Sequence, residues 1–259
     1  FMYTCFTKTP ALSPTGHARP FAANAAGTTS GEGIGLCVLK RLSDAERDGD
    51  RVYAVIRGIG SSSDGRGKSI YAPSAEGQVR ALREAYRLAE VSPETIQLVE
   101  AHGTGTAVGD GIEVDALSAV FRSAEDREPW CALGSVKSMI GHTKAAAGSA
   151  ALIKAALALH HKVFPPTIKV EAPLPILADG ASPFYLSLEK RPWPAPKEHP
   201  RRAACSALGF GGTNFHAVLE EAGPEKSEVD WDADIEIVAV SGDSESELAE
   251  KLKPPPPLS

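Results

Sequence analysis

A chain of 259 residues, 42% apolar and 23% charged, is long enough to bury a substantial core and has the make-up of an α/β protein rather than a disordered or fibrous one. Its formal net charge of −6 leaves no basic excess, which argues against nucleic acid or an anionic membrane as the main partner. Four scattered cysteines, Cys5, Cys37, Cys131 and Cys205, match no metal or disulfide framework and read as reduced thiols of a cytoplasmic protein; no apolar run approaches the roughly 20 residues of a membrane span.

From Phe1 to Phe21 the mixture of aromatics, Pro and Gly suits a loop packed on a core. Gly31 to Gly35 (GEGIG) precedes the apolar run Leu36 to Leu42, so these glycines enter a strand. A dinucleotide fingerprint needs its glycines after a strand and before a helix, and that reading fails. Ser43 to Asp50 reads as a charged connector and Val52 to Ile59 as a β-branched strand. The loop ending in Gly67-Lys68-Ser69 lacks the earlier glycine of a phosphate loop and is read as polar and mobile. Ser74 to Ala89 has helical spacing, with Ser74 as its cap.

Val99 to Asp110 (VEAHGTGTAVGD) passes from an apolar strand through His102 into Gly and Thr residues, with a helix expected from Gly111 to Phe121. Glu113 and Asp115 fall near that helix's positive end. Cys131 to Gly134 reads as a buried strand end and Ala145 to Leu159 as a helix, which puts His142 at a strand-to-helix turn. Free backbone N–H groups and a helix dipole there favour a neutral imidazole and nearby negative charge. A lone His after a strand is more often structural, but two in matching settings point to one site that donates to an oxyanion. Further on, Phe184 to Leu188 and Phe215 to Glu220 read as strands, and Ala203 to Gly209 leads into the loop GFGGTN. His160, His161, His199 and His216 have no such context and are read as structural or exposed. After Pro224 the composition becomes acidic; Ile235 to Ser241 has a strand pattern and Glu245 to Leu252 a helix pattern.

The strings EAHGTGT, GSVKSMIGHTKAAAG and SALGFGGTNFHAVLEE closely resemble those of β-ketoacyl synthases, the condensing domains of fatty acid and polyketide synthases, and they occur in that family's order. The resemblance implies a thiolase-like layered α/β/α/β/α fold, incomplete here because the N-terminal half that carries the nucleophilic Cys is absent. It divides the chain into 1–224, the C-terminal portion of a ketosynthase domain, and 225–259, a linker and the start of an adaptor region. A chain that opens at Phe1 within structured sequence is expected to be a fragment.

The resemblance also implies a chemistry. A Cys takes up an acyl group from a phosphopantetheine thiol, and the thioester is attacked by a carbanion formed by decarboxylating a malonyl thioester on acyl carrier protein. His102 and His142 match the pair that stabilises the enolate, and Lys137 the lysine that organises the polar network around them. Thr104 and Thr106 match residues that bind the pantetheine arm. Phe210, Gly211 and Asn214 match the loop whose Phe gates the acyl tunnel. No permanently bound cofactor or metal is implied; the 4′-phosphopantetheine arm is the substrate carrier. Implied partners are acyl carrier protein, the missing ketosynthase half, neighbouring synthase domains and a second copy in a homodimer.

Cys205, in Ala-Ala-Cys-Ser-Ala, aligns with a strand position and not with the nucleophile, so this chain alone should not condense anything. Within the family, FMYTCFTKTPALSPTG, SIYAPS and TNFHAVLEE look most like iterative polyunsaturated fatty acid, enediyne or glycolipid enzymes. Two alternatives stay open: a decarboxylase or chain-length partner lacking a nucleophile, and a non-catalytic scaffold for carrier proteins. A scaffold has no use for two matched histidines and a lysine. Carrier docking needs a local basic patch, for which Lys68, Arg80, Arg83, Arg87, Arg201 and Arg202 are candidates.

Overall fold

The computed structural model describes residues 2–8, 11–66, 72–121, 128–180, 182–223, 242 and 244–251. The helices among them are α1 (Met2–Lys8), α2 (Leu42–Asp48), α3 (Ala75–Ala89), α4 (Ala107–Phe121), α5 (Lys137–Ile140), α6 (Ala147–His161), α7 (Pro175–Ala178) and α8 (Glu245–Lys251). The strands are β1 (Val55–Ser63), β2 (Leu98–Glu100), β3 (Cys131–Gly134), β4 (Val163–Phe164), β5 (Phe184–Leu186), β6 (Arg191–Pro192), β7 (Arg202–Gly209) and β8 (Thr213–Glu220).

Six strands form one sheet in the order β1-β8-β7-β2-β3-β5. β1 pairs antiparallel with β8 and β8 with β7, whereas β7, β2, β3 and β5 run parallel. Because successive strand residues face opposite sides, Leu98 and Val99 go to different cores. Val99, Leu133, Ala204 and Val218 pack under α3 and α4. Leu98, Ala132, Ala203 and Leu219 meet Ala151, Ala155 and Leu159 of α6 on the other face. The result is a helix, sheet, helix sandwich in which short buried strands deliver their C-terminal ends to one edge. α3 is capped as expected, Ser74 Oγ accepting from the Gly77 N–H at 3.2 Å. It lies so close on β1 that a Cβ at Gly60 would come within 2.0 Å of the Ala81 carbonyl oxygen, which fixes glycine at that position.

Four expectations are corrected. Residues 2–8 are helical, not loop; residues 42–48 form α2, closed by Gly49 at φ +69°. α4 starts at Ala107, four residues before Gly111. The apolar run Leu36 to Leu42 is no strand. Its side chains stand in solvent (Leu36 84%, Val38 89% and Leu39 72% exposed), as does Ile34 before it, since no described strand pairs with it and an isolated strand is not stable. Beside this segment, Gly33 to Gly35, the outer face of α6 and Pro165-Pro166 enclose an open apolar cleft of about 510 Å³. α6 is apolar around most of its circumference, but only one side of it is covered by the sheet. Lys68 and the strand pattern at 235–241 lie outside the described residues.

Candidate active site

The site is built where β2 and β3 end side by side. Their parallel register pairs Glu100 with Gly134, and the Ala101 N–H continues the ladder to the Gly134 carbonyl at 2.8 Å. Two loops therefore leave the sheet together, one carrying His102 to Thr106 and the other Ser135 to His142. The imidazoles meet edge to face, with centroids 5.3 Å apart and planes at 81°.

Buried carboxylates hold the first loop by its backbone. Glu113 of α4 accepts from the N–H groups of His102 at 2.7 Å and Gly103 at 2.8 Å. Asp110 accepts from Thr104 at 3.0 Å, Gly105 at 3.2 Å and Phe21 at 2.7 Å. At Gly103, with φ +39°, a Cβ would come within 2.8 Å of the Phe21 ring and 2.7 Å of Ser135 Cβ, so the loop accepts no side chain there. Lys137, 2% exposed, donates from Nζ to the His102 carbonyl, and Ser135 Oγ donates to the Gly103 carbonyl at 2.9 Å. Behind them Glu100 accepts from the Val136 N–H at 2.5 Å and pairs with Lys154 of α6 at 2.6 Å. Three carboxylates and two ammonium groups thus lock both loops.

His142 is held from a different direction. Its N–H donates to the Thr29 carbonyl at 2.7 Å, and its carbonyl accepts from the Gly31 N–H at 3.0 Å. A Cβ at Gly31 would approach the Ile140 oxygen to 2.1 Å, so the first glycine of GEGIG is required by the turn beneath His142. Nδ1 of His142 accepts from the Lys144 N–H at 3.0 Å, which leaves its proton on Nε2. Burial, with Lys137 and Lys144 nearby, brings His142 down to about 3; burial and then Lys137 push His102 well below its ordinary value. Both rings are neutral near pH 7. Nδ1 of His102 is buried without a hydrogen-bond partner among the described residues. Burial lowers Lys137 too, opposed by Glu113, Glu100 and Asp110, and raises Asp110 to about 6 against its three backbone donors.

Thr104 and Thr106 bring their hydroxyls to 2.9 Å of each other on the outer side of the His102 loop. The GFGGTN segment is the turn between β7 and β8. Gly211 and Gly212 take φ +92° and +82°, which leaves Phe210 65% exposed at the tip. Asn214 pins the turn, its Nδ2 donating to Asp64 Oδ1 at 2.7 Å. The Phe210 ring stacks on Phe6 at 5.9 Å, and Lys144 Nζ lies 4.1 Å above the Phe6 ring, so the turn borders the His142 loop through α1. Sequence reasoning missed Asp110, Phe21, Lys144 and the inward role of Glu113. The available signal was two acids three positions apart at the start of an apolar helix, directly after HGTGT.

Cys131 and Cys205 are buried strand residues whose thiols burial pushes up, that of Cys205 to about 12; Cys5 and Cys37 are exposed. A buried neutral thiol is a poor nucleophile. Among the basic candidates, Arg80 pairs with Glu76, Arg87 with Glu84, Arg201 with Glu221 and Arg202 with Glu220. No group of three or more His, Cys, Asp or Glu among the described residues could hold a metal ion, and no described helix is long and apolar enough to cross a membrane.

Residues 53–171 match the family model for the C-terminal domain of β-ketoacyl synthases, and residues 1–45 match that for the N-terminal domain. The chain belongs to the β-ketoacyl synthase family. It is 51% identical over 230 residues to a polyunsaturated fatty acid synthase subunit of Thraustochytrium sp., covering 86% of this chain and 8% of that one. It is 46% identical over 215 residues to polyketide synthase PksL of Bacillus subtilis, covering 83% and 5%. Among solved structures, the ketosynthase from module 6 of the B. subtilis bacillaene synthase superposes with a TM-score of 0.82 at 44% identity, over 86% of this chain and 40% of that chain. The oxazolomycin ketosynthase domain OzmH KS7 of Streptomyces albus gives 0.82 at 38%, over 90% and 41%. The fold is thus the thiolase-like one of ketosynthases, and the chain spans about two fifths of those structures and under a tenth of the two synthases.

The β-ketoacyl synthase chain carries a further buried histidine that is not near the pair. His216 of β8 makes hydrogen bonds with Ser206 Oγ at 2.9 Å and Tyr86 Oη at 3.0 Å, and burial takes it to about 3. Histidine folded values below the unfolded value of about 6.5 mean that, as pH falls through 6.5, the unfolded chain gains protons the folded one refuses. Stability should then fall with acid toward pH 3, at up to about 1.4 kcal/mol per pH unit for each such group. Asp110, raised from 3.8 to about 6, and Glu113, raised from 4.5 to about 7, work in the opposite sense between those values, against the three histidines. Urea midpoints between pH 6.5 and 4 should therefore fall in the parent and fall less steeply in His216→Asn. Equal slopes would contradict the assignment.

Proposed function

We propose that the chain supplies the decarboxylating half of a β-ketoacyl synthase site, completed by an amino-terminal half that brings the nucleophilic Cys. The observation that carries this is the pair of neutral imidazoles, edge to face at 5.3 Å on two rigidly tied loops. A malonyl thioester on acyl carrier protein enters with its carbonyl oxygen toward the ring N–H groups. The bond to the carboxylate breaks, carbon dioxide leaves, and the electron pair moves through the α-carbon to the thioester oxygen. Donation from His142 Nε2–H and from the His102 ring stabilises this enolate. The enolate carbon then attacks the acyl thioester on the Cys. A carbon–carbon bond forms, and the Cys thiolate leaves with the sulfur's electron pair.

Lys137 acts through the His102 loop as a positioning residue. Thr104 and Thr106 contact the pantetheine arm, and Phe210 gates the acyl channel on a turn fixed by Gly211 and Asn214. The exposed run Ile34 to Leu39 and the cleft on α6 are surfaces that the amino-terminal half covers, giving the five layers of the complete fold and the face of a homodimer. By this reading residues 1–224 end the ketosynthase and 225–259 begin its connection to neighbouring domains in a cytoplasmic synthase. The 51% identity to a polyunsaturated fatty acid synthase subunit favours the iterative subgroup.

Intact-mass analysis after exposure to an acyl thioester tests the division of labour. The completed ketosynthase should gain one acyl group on a Cys of its amino-terminal half, and the present chain alone should gain none. Acylation of Cys5, Cys37, Cys131 or Cys205 would sink the proposal.

A further inference from the structure

Lys144 combines three properties that set it apart from a surface lysine. Its backbone holds a left-handed conformation at φ +56°, which costs a non-glycine residue free energy and is found where surrounding structure demands it. Its ammonium nitrogen is shielded from solvent and makes no hydrogen bond to any described residue. That nitrogen sits 4.1 Å above the Phe6 ring, which also stacks on Phe210 at the tip of the β7–β8 turn. An aromatic face attracts a cation but offers no acceptor for its three N–H bonds. A shielded ammonium without acceptors is unfavourable, so the group is poised for an anion that arrives later.

The place of that anion is limited by the chain itself. The Lys144 amide donates to His142 Nδ1, and the charge of its side chain is near enough to act on the imidazole. Burial lowers the Lys144 ammonium from its ordinary value, and its charge helps keep His142 neutral. A thioester held against the histidines would place its own charged group within the same small space.

We propose that Lys144 is the receptor for the negatively charged group of the substrate thioester, an inference that rests on the decarboxylating role of the histidine pair. Two groups of such a substrate carry that charge: the malonyl carboxylate and the phosphate of the pantetheine arm. The carboxylate is the expected one, being the group nearest the bond that breaks. Because that charge leaves as neutral carbon dioxide, Lys144 holds the ground state and has little to gain in the transition state. Its loss should therefore raise KM without lowering kcat.

The test compares the completed ketosynthase with its Lys144→Met and Lys144→Arg variants on three substrates. These are malonyl-N-acetylcysteamine, which has only the carboxylate; hexanoyl-4′-phosphopantetheine, which has only the phosphate; and hexanoyl-N-acetylcysteamine, which has neither. Carbon dioxide release is followed for the first and enzyme acylation for the others. Lys144→Met should raise KM for malonyl-N-acetylcysteamine by about tenfold or more, with kcat not lowered and most of the affinity restored in Lys144→Arg. An increase confined to hexanoyl-4′-phosphopantetheine would assign the same residue to the phosphate. If KM is unchanged for both charged substrates, or rises equally for the neutral one, the proposal is overturned. Failure of the parent enzyme to release carbon dioxide at all would instead refute the histidine reading.

Discussion

Replacing His142 by alanine in the completed ketosynthase is expected to lower malonyl decarboxylation by about 100- to 1,000-fold, with KM changed far less. The size follows from what the residue offers. Its Nδ1 is occupied by the Lys144 N–H, so the single ring proton is on Nε2 and free for the developing enolate. Its neutrality is secured by burial and by two nearby lysines, which spares the enolate a proton transfer that would quench it. Because both loops are tied by their backbones, the donor does not have to reorganise when charge appears, and this is what gives oxyanion sites their large effects. Carbon dioxide release under saturating substrate reads the change. Comparison with His216→Asn, whose imidazole is enclosed between Ser206 and Tyr86, separates loss of the donor from loss of a buried ring. A drop of less than about tenfold would remove His142 from the oxyanion site.

The second large effect is expected on stability. Glu113→Ala removes a fully enclosed carboxylate that accepts from two amides and lies within the electrostatic reach of Lys137. The two amide donors then face a cavity, and Lys137 loses a nearby opposite charge. Breaking a buried charged network by deleting one member typically costs about 3 to 5 kcal/mol, because the partners stay buried and unsatisfied. For a chain of this size that corresponds to a fall in Tm of about 10 °C. Glu113→Gln should lose less, since one oxygen can still accept while the new amide competes for the same donors. Differential scanning calorimetry on the two variants checks the order. A melting point equal to the parent's in Glu113→Ala would mean that the His102 loop is held by something else. Burial itself favours the neutral carboxyl here, and the two amides together with Lys137 oppose it.

Much of the site could be located from the chain alone because its residues sit where strands stop. His102 follows β2 at once and His142 follows β3 after the single turn of α5, and the change from apolar run to Gly and Thr marks both positions. Ser74 was legible as a cap for the same local reason. What escaped notice depends on distant partners. α4 opens with Ala-Val-Gly-Asp-Gly, whose glycines read as loop, yet its first turn forms because Asp110 is bound by three amides of other segments. The inward stripe of that helix runs Asp110, Glu113, Val114, Leu117 and Phe121, so the acids expected to complement the helix dipole include one that faces the His102 loop. Leu36 to Leu42 failed in the other direction: it has the composition of a strand, but no described strand pairs with it. Lys144 gave no signal at all, since only the ring of Phe6 and the shielding of Nζ distinguish it from any surface lysine.

The parallel pairing of β2 with β3 has a consequence for how this chain is made. Parallel neighbours cannot be joined by a tight turn; the connection must pass through α4 and back, a long loop that has to be closed before any ladder bond compensates for it. The histidines therefore remain apart through every early, local stage of folding and meet only once the crossover is complete. A slip of one residue between Glu100 and Gly134 would turn each side chain to the opposite face and send the carboxylate away from Val136 and Lys154. Ring-to-ring contact between His102 and His142 is accordingly a late event and a stringent one, so that its appearance during refolding would report that the correct register had been chosen.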